Sequence, residues 1–172
     1  MTLILIGYMG SGKSTIGKAL SQLLGYNFID LDAHIERHME MEIASIFKTR
    51  GEIFFRRKET ELLSEVIQQV DTVVALGGGT PCYGQNLEIL KAQANSKTVY
   101  LKASIPQLTE RLFEEKSKRP LISHLQSKTD LNEFIGKHLF ERSKFYEQSD
   151  YIIDTNSKSV EEIIESIVLK LF

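Results

Sequence analysis

The stretch Gly7-Tyr8-Met9-Gly10-Ser11-Gly12-Lys13-Ser14 has the spacing G-x-x-x-x-G-K-S. That spacing suits the capture of a polyphosphate. Small residues at Gly10, Ser11 and Gly12 let successive backbone N–H groups turn inward around phosphate oxygens, and a helix starting near Lys13 adds the positive end of its dipole. Lys13 is expected to reach the β- and γ-phosphates, and the Ser14 hydroxyl to ligate Mg²⁺, with Thr15 following in the same loop. The context agrees with this chemistry. An apolar run, Leu3-Ile4-Leu5-Ile6, precedes the loop, and Ile16, Ala19, Leu20, Leu23 and Leu24 follow it at helical spacing.

A phosphate loop specifies a nucleotide and leaves the reaction open. Asp30 and Asp32 stand two apart in a run expected to form a strand over 28–32, which would point both side chains the same way. Two acids beside bound phosphates suit Mg²⁺ organisation or contacts to a substrate hydroxyl; the plainer alternative is that Asp32 caps the next helix. Gly77-Gly78-Gly79 follows an apolar run, where absent side chains would let a ligand approach the backbone closely. Arg56 and Arg142 are each one cation among several, and spacing alone leaves them as ordinary surface charges. His34 and His38 are four apart on an expected helix, but no third ligand is in register, so they read as surface histidines. Cys82 has no base partner in the sequence pattern that would make it a nucleophile.

The elements that must position these residues alternate along the chain. Strands are expected over 3–6, 28–32, 72–76, 98–101 and 151–153. Helices are expected after the phosphate loop and over 33–39, 43–49, 52–70, 86–94, 104–113 and 131–146, and from 160 to the last residues, with Gly51 breaking the chain between the second and third of these ranges. The segment 72–76 is apolar throughout, as a strand buried on both faces should be. Ser104 and Ser159 are placed to cap helices, the latter with Glu162 in a capping box. The polar segment 114–128 is expected to be mobile. The alternation argues for a three-layer α/β/α domain on a parallel sheet with right-handed crossovers, spanning 1–172 as one unit. In such sheets ligands bind beyond the carboxyl ends of the strands, where Asp30 and Gly77 to Gly79 fall.

Composition bounds the partners. Across 172 residues the net charge is −2, with 21 basic and 23 acidic side chains and no basic tract, which argues against a nucleic-acid partner. No apolar run approaches a membrane span, no secretory signal is apparent, and the single cysteine can form no internal disulfide; a soluble, cytoplasmic protein is expected.

Taken together, the motifs resemble the shikimate kinase family over nearly the whole chain. The resemblance is carried by Gly7 to Thr15, by Phe28-Ile29-Asp30-Leu31-Asp32 and by Gly51-Glu52 with Phe55-Arg56 and Glu59. Further along, Gly77 to Gly79, Arg119-Pro120-Leu121 and Arg142 with Tyr146 continue it. It implies an adenylate-kinase-like P-loop fold with strand order 2-3-1-4-5, and transfer of the ATP γ-phosphoryl group to the 3-hydroxyl of shikimate, within chorismate and aromatic amino-acid biosynthesis. It implies that Asp32 binds the acceptor hydroxyls and takes the proton, and that Asp30 holds Mg²⁺ with Ser14. Arg56 and Arg142 would grip the carboxylate, with Gly77, Gly78 and Gly79 lining the pocket. Arg119 would act on the phosphates from a lid over 114–128, Arg111 would lie near the adenine, and 32–62 would form the acceptor-binding segment of a monomer. Two departures stand out: Ser143-Lys144-Phe145 precedes Tyr146, and Thr80-Pro81-Cys82 follows the glycines. Two other readings compete. A GTP-dependent switch needs an Asn-Lys-x-Asp segment, which the chain lacks. A nucleoside monophosphate or gluconate kinase would share the fold but not the arginine pair.

Overall fold

A computed structural model describes residues 1–172, the side chain of Lys118 excepted. The strands are β1 (Thr2–Ile6), β2 (Asn27–Asp30), β3 (Thr72–Ala75), β4 (Ser96–Lys102) and β5 (Tyr151–Asp154). The helices are α1 (Lys13–Leu24), α2 (Leu31–Met39), α3 (Ile43–Arg50), α4 (Glu52–Val66), α5 (Asn86–Lys91), α6 (Ile105–Glu115), α7 (Lys128–Tyr146) and α8 (Val160–Leu171). The sheet has five strands in the order β2-β3-β1-β4-β5, every pair parallel, as the resemblance implied.

Period-two alternation divides the apolar strand residues between two cores. Ile4, Ile6, Val74 and Tyr100 face helices α2 to α7, meeting Leu31, Leu62, Leu63, Leu112, Ile135 and Tyr146. Leu3, Leu5, Val73, Val99, Leu101 and Ile153 face the other way, onto Ile16 and Leu20 of α1 and Ile163 and Ile167 of α8. Each such side chain contributes roughly 1.5–3 kcal/mol when fully buried. With both faces covered, the central strands read as continuous apolar runs.

Several expected boundaries move, for local reasons. The second strand stops at Asp30, whose carboxylate accepts from the Ala33 N–H and caps α2, so Asp32 lies in the first helical turn and the shared strand face expected for the two acids is wrong. The capping acid is Asp30, two residues earlier than the alternative that assigned it to Asp32. Helix α4 ends at Val66, and Val70, expected on its apolar side, is 66% exposed. Leu23, expected on the buried face of α1, is 64% exposed, because that face turns through Ile16, Gly17, Leu20 and Ser21. Gly17 is needed there: a Cβ would stand 2.4 Å from the Phe28 ring. The sequence Thr80–Cys82 forms a short 3-10 turn that no expectation included. Helix α7 starts three residues earlier than expected, at Lys128, where Ser127 accepts from the Asp130 N–H. Within the segment 114–128, Ile122 is fully buried and packs with the core.

Candidate active site

The phosphate loop connects β1 to α1 at the carboxyl end of the sheet. Gly10 (φ 77°) and Gly12 (φ 95°) take left-handed backbone conformations that disfavour side chains, and Gly12 leads directly into α1. Lys13 folds back over the loop, its Nζ donating to the carbonyls of Gly7 and Tyr8, each at 2.8 Å. Burial pushes its pKa down to about 8, against the opposing pull of Asp32 and Asp30. The Ser11 hydroxyl is buried without a hydrogen-bond partner among the described residues. A cradle of N–H groups, an orphaned hydroxyl and a buried cation together fit a polyphosphate.

Gly10, Ser11, Gly12, Lys13, Ser14, Thr15, Asp30, Asp32, Gly77, Gly78, Arg111 and Arg119 all line one cavity of about 460 Å³. Fold and loop thus bring together most of the residues expected from sequence. Arg56, Gly79 and Arg142 lie outside that lining, but adjoin it through the glycines. The Ser14 hydroxyl donates to Asp30 at 2.7 Å, which sets a hydroxyl and a carboxylate oxygen side by side at the edge of the cavity. That donor pair fits a hard, oxygen-loving cation such as Mg²⁺.

The glycine run after β3 faces three charged side chains in succession. A Cβ on Gly77 would stand 2.7 Å from Asp32 Oδ1, one on Gly78 would stand 3.6 Å from Arg142 Nη1, and one on Gly79 would stand 3.2 Å from Arg56 Nη2. The absent side chains therefore leave a carboxylate and two guanidinium groups open along one wall. Burial raises the Asp32 pKa to about 6, helped by the nearby carboxylates of Asp30 and Glu59 and opposed by Lys13.

Arg56 is held by α4 itself. Its Nη1 donates at 2.8 Å to Glu59, which is buried and also accepts from the Thr80 hydroxyl at 2.6 Å. Tyr83 stacks beneath it, 3.6 Å from guanidinium to ring centroid, while the buried Nε faces Glu52 Oε1 at 3.6 Å, an ion pair too long for a hydrogen bond. A guanidinium pinned in this way presents a fixed planar cation, which suits a carboxylate ligand. Arg119 donates twice to Glu115, at 3.2 and 2.8 Å, and faces the phosphate cavity. Arg111 braces the phosphate loop, its Nη1 donating to the Gly10 carbonyl at 3.1 Å. Burial pushes the Cys82 thiol up to about 11, so it is a poor nucleophile.

Three groups near the site are given no role by sequence reasoning. Glu59 positions Arg56, Tyr83 stacks on it, and Lys158 lines the cavity beside Val160. The first had a signal, because Glu59 lies three residues beyond Arg56 on one helix. The others come from distant loops.

Comparison with known proteins points to one family. A family model described as shikimate kinase matches residues 9–172. A shikimate kinase of Flavobacterium johnsoniae is 41% identical over 167 residues, covering 96% of each chain. Among solved structures, the shikimate kinase of Bacteroides thetaiotaomicron superposes with a TM-score of 0.91 at 34% identity, covering 99% of this chain and 98% of that one. The shikimate kinase of Acinetobacter baumannii, solved in complex with shikimate, gives a TM-score of 0.87 at 33% identity, with 99% and 92% covered.

Proposed function

The chain belongs to the shikimate kinase family and is an ATP-dependent shikimate phosphotransferase of the shikimate pathway, and from that premise we propose how its residues divide the work. The γ-phosphoryl group moves to the 3-hydroxyl of shikimate, giving shikimate 3-phosphate and ADP. Backbone N–H groups of Gly10 to Thr15 and the Lys13 ammonium bind the phosphates. Lys13 must leave the Gly7 and Tyr8 carbonyls to do so, an exchange of neutral acceptors for charged ones. Ser14 and Asp30 would hold Mg²⁺, which when bound neutralises phosphate charge.

Asp32 accepts the hydrogen bond of the acceptor hydroxyl and takes its proton as the new O–P bond forms. A carboxyl with a pKa near 6 is ionised at neutral pH yet more basic than an ordinary aspartate. Arg56 and Arg142 clamp the acceptor carboxylate, and Gly77, Gly78 and Gly79 leave the space it needs. The segment 32–62 forms the acceptor side. The segment 114–128 acts as a lid that carries Arg119 onto the phosphates and excludes water. Arg111 lies on the adenine side. Among the described residues no helix is long and apolar enough to cross a membrane. The chain works as a cytoplasmic monomer.

The observation that carries this reading is the glycine run, where three successive positions open onto Asp32, Arg142 and Arg56. One carboxylate and two guanidinium groups suit an acceptor that has both a hydroxyl and a carboxylate. The division of arginines is tested by Arg56→Lys and Arg119→Ala. The lysine keeps the charge but loses the fork, so the KM for shikimate should rise about tenfold or more. Arg119→Ala should instead lower kcat and leave shikimate affinity without nucleotide nearly unchanged. Steady-state kinetics with each substrate varied, and calorimetry for shikimate alone, check this. Loss of shikimate binding in Arg119→Ala, or the same pattern in both variants, contradicts it.

A further inference from the structure

Helix α7 carries His138, Arg142 and Tyr146 at four-residue spacing, so the three lie on one stripe. The outer two are each tied to a loop of the reaction centre. The Tyr8 hydroxyl is 3.1 Å from His138 Nδ1, and the two rings meet edge to face with centroids 6.1 Å apart. The Tyr146 hydroxyl donates to the Gly78 carbonyl. Tyr8 belongs to the phosphate loop and Gly78 to the glycine wall. Arg142 lies between these ties, its guanidinium 5.8 Å from the Tyr8 ring centroid.

Tyr8 takes no part in the phosphate chemistry through its side chain, yet that side chain is 1% exposed. Its backbone carbonyl accepts from Lys13, while its hydroxyl is bonded to α7. One residue thus touches both the phosphate-binding lysine and the helix of the acceptor arginine. The imidazole is fixed from another side by Phe134, with ring centroids 4.3 Å apart. Burial and the Arg142 charge hold His138 below its ordinary pKa, against the pull of Glu141, so a neutral ring nitrogen is available to the phenol.

We propose that Tyr8 and His138 are positioning residues for Arg142: their hydrogen bond sets the rotation and height of α7 over the phosphate loop. The acceptor carboxylate is then measured from the loop that binds the nucleotide. The proposal rests on the assignment of Arg142 to that carboxylate.

Three single variants and one double variant test it. His138→Leu removes the nitrogen but keeps an apolar contact, Tyr8→Phe removes only the hydroxyl, and His138→Asn returns a polar atom near the Nδ1 position. His138→Leu and Tyr8→Phe should each raise the KM for shikimate about five- to tenfold, the loss expected of one hydrogen bond, while the KM for ATP moves less than about twofold. The double variant should be no worse than the worse single one, since both break the same link. His138→Asn should restore the KM for shikimate to within about twofold of the native enzyme. A merely structural role would lower the melting temperature or the active fraction without moving that KM. Singles with an unchanged KM for shikimate, effects that multiply in the double variant, or an Asn variant as impaired as Leu would each overturn the proposal. If Tyr8→Phe does not fold, the His138 pair decides. Arg142→Ala separates the two levels: if it leaves shikimate binding intact, the assignment of Arg142 fails; if it abolishes binding while the other variants act normally, only the positioning link fails.

Discussion

In the proposed mechanism Asp32 sets function against stability within a single side chain. Its carboxyl ionises near 6 in the folded protein, against 3.8 for the ordinary group, chiefly because it is buried. A raised folded pKa means that the folded state binds the proton more tightly. The stability this gives is fully present below about 3.8 and is lost as pH rises through about 6. At neutral pH the ionised carboxylate therefore costs stability, on the order of 1–3 kcal/mol. Asp32→Asn should melt a few degrees higher than the native chain at pH 7.5, with the difference fading toward pH 4, and should lose turnover by at least about 100-fold. Calorimetric melts across pH and initial rates check both; a variant that melts lower at pH 7.5 contradicts the sign. In the native enzyme kcat/KM should rise with pH through about 6 and then level, because only the ionised group can take the proton. Gly77→Ala tests the same contact from the opposite wall. Its methyl would stand 2.7 Å from Asp32 Oδ1, so Asp32 must move and kcat should fall by about tenfold or more. Native kinetics in that variant would show that Asp32 has room to spare. The phosphate-loop residues were legible because their spacing is local. Tyr8 and His138 were not, because their pairing exists only once α7 lies over the loop.

At the scale of elements, the alternation of strands and helices was readable because burial on both sheet faces makes apolar runs, and because serines mark helix starts. Ser104 and Ser159, read as caps from sequence, each accept a backbone N–H at the start of a helix, while Ser127, which was not so read, does the same for α7. The capping box at Ser159 is complete, with Glu162 returning a bond to the Ser159 N–H at 2.7 Å. Ser159→Ala should cost about 1 kcal/mol, read as a lower denaturation midpoint. Because Lys158 and Val160 line the cavity on either side, the KM for ATP should rise modestly as well, with the KM for shikimate unchanged. A variant as stable as the native chain would show that the cap contributes nothing there. Boundaries were less readable. Asp30 and Asp32 looked like one strand face, and only the cap made by Asp30 turns the chain into α2. The end of α4 at Val66 and the 3-10 turn at Thr80–Cys82 carry no strong local signal, since tertiary contacts decide them. The 3-10 turn matters, because it brings Thr80 to Glu59 and so holds Arg56.

For the whole molecule, the sheet order β2-β3-β1-β4-β5 places β1 between β3 and β4, so the phosphate loop lies beside the glycine wall after β3. Asp30 and Asp32 arrive from the far side of β3, and Arg142 from α7. The proposed nucleotide and acceptor sides therefore share one end of one sheet, which under the proposed function accepts a hydroxylated carboxylic acid. An assay of ADP release with ATP and, in turn, shikimate, quinate, gluconate and AMP tests it most directly, with Lys13→Ala as the control that keeps the fold and removes the phosphate-binding charge. Turnover with shikimate should exceed that with the other acceptors by at least about 100-fold in kcat/KM, and Lys13→Ala should lose several orders of magnitude. Faster turnover of AMP or gluconate than of shikimate, or near-native activity in Lys13→Ala, would contradict it.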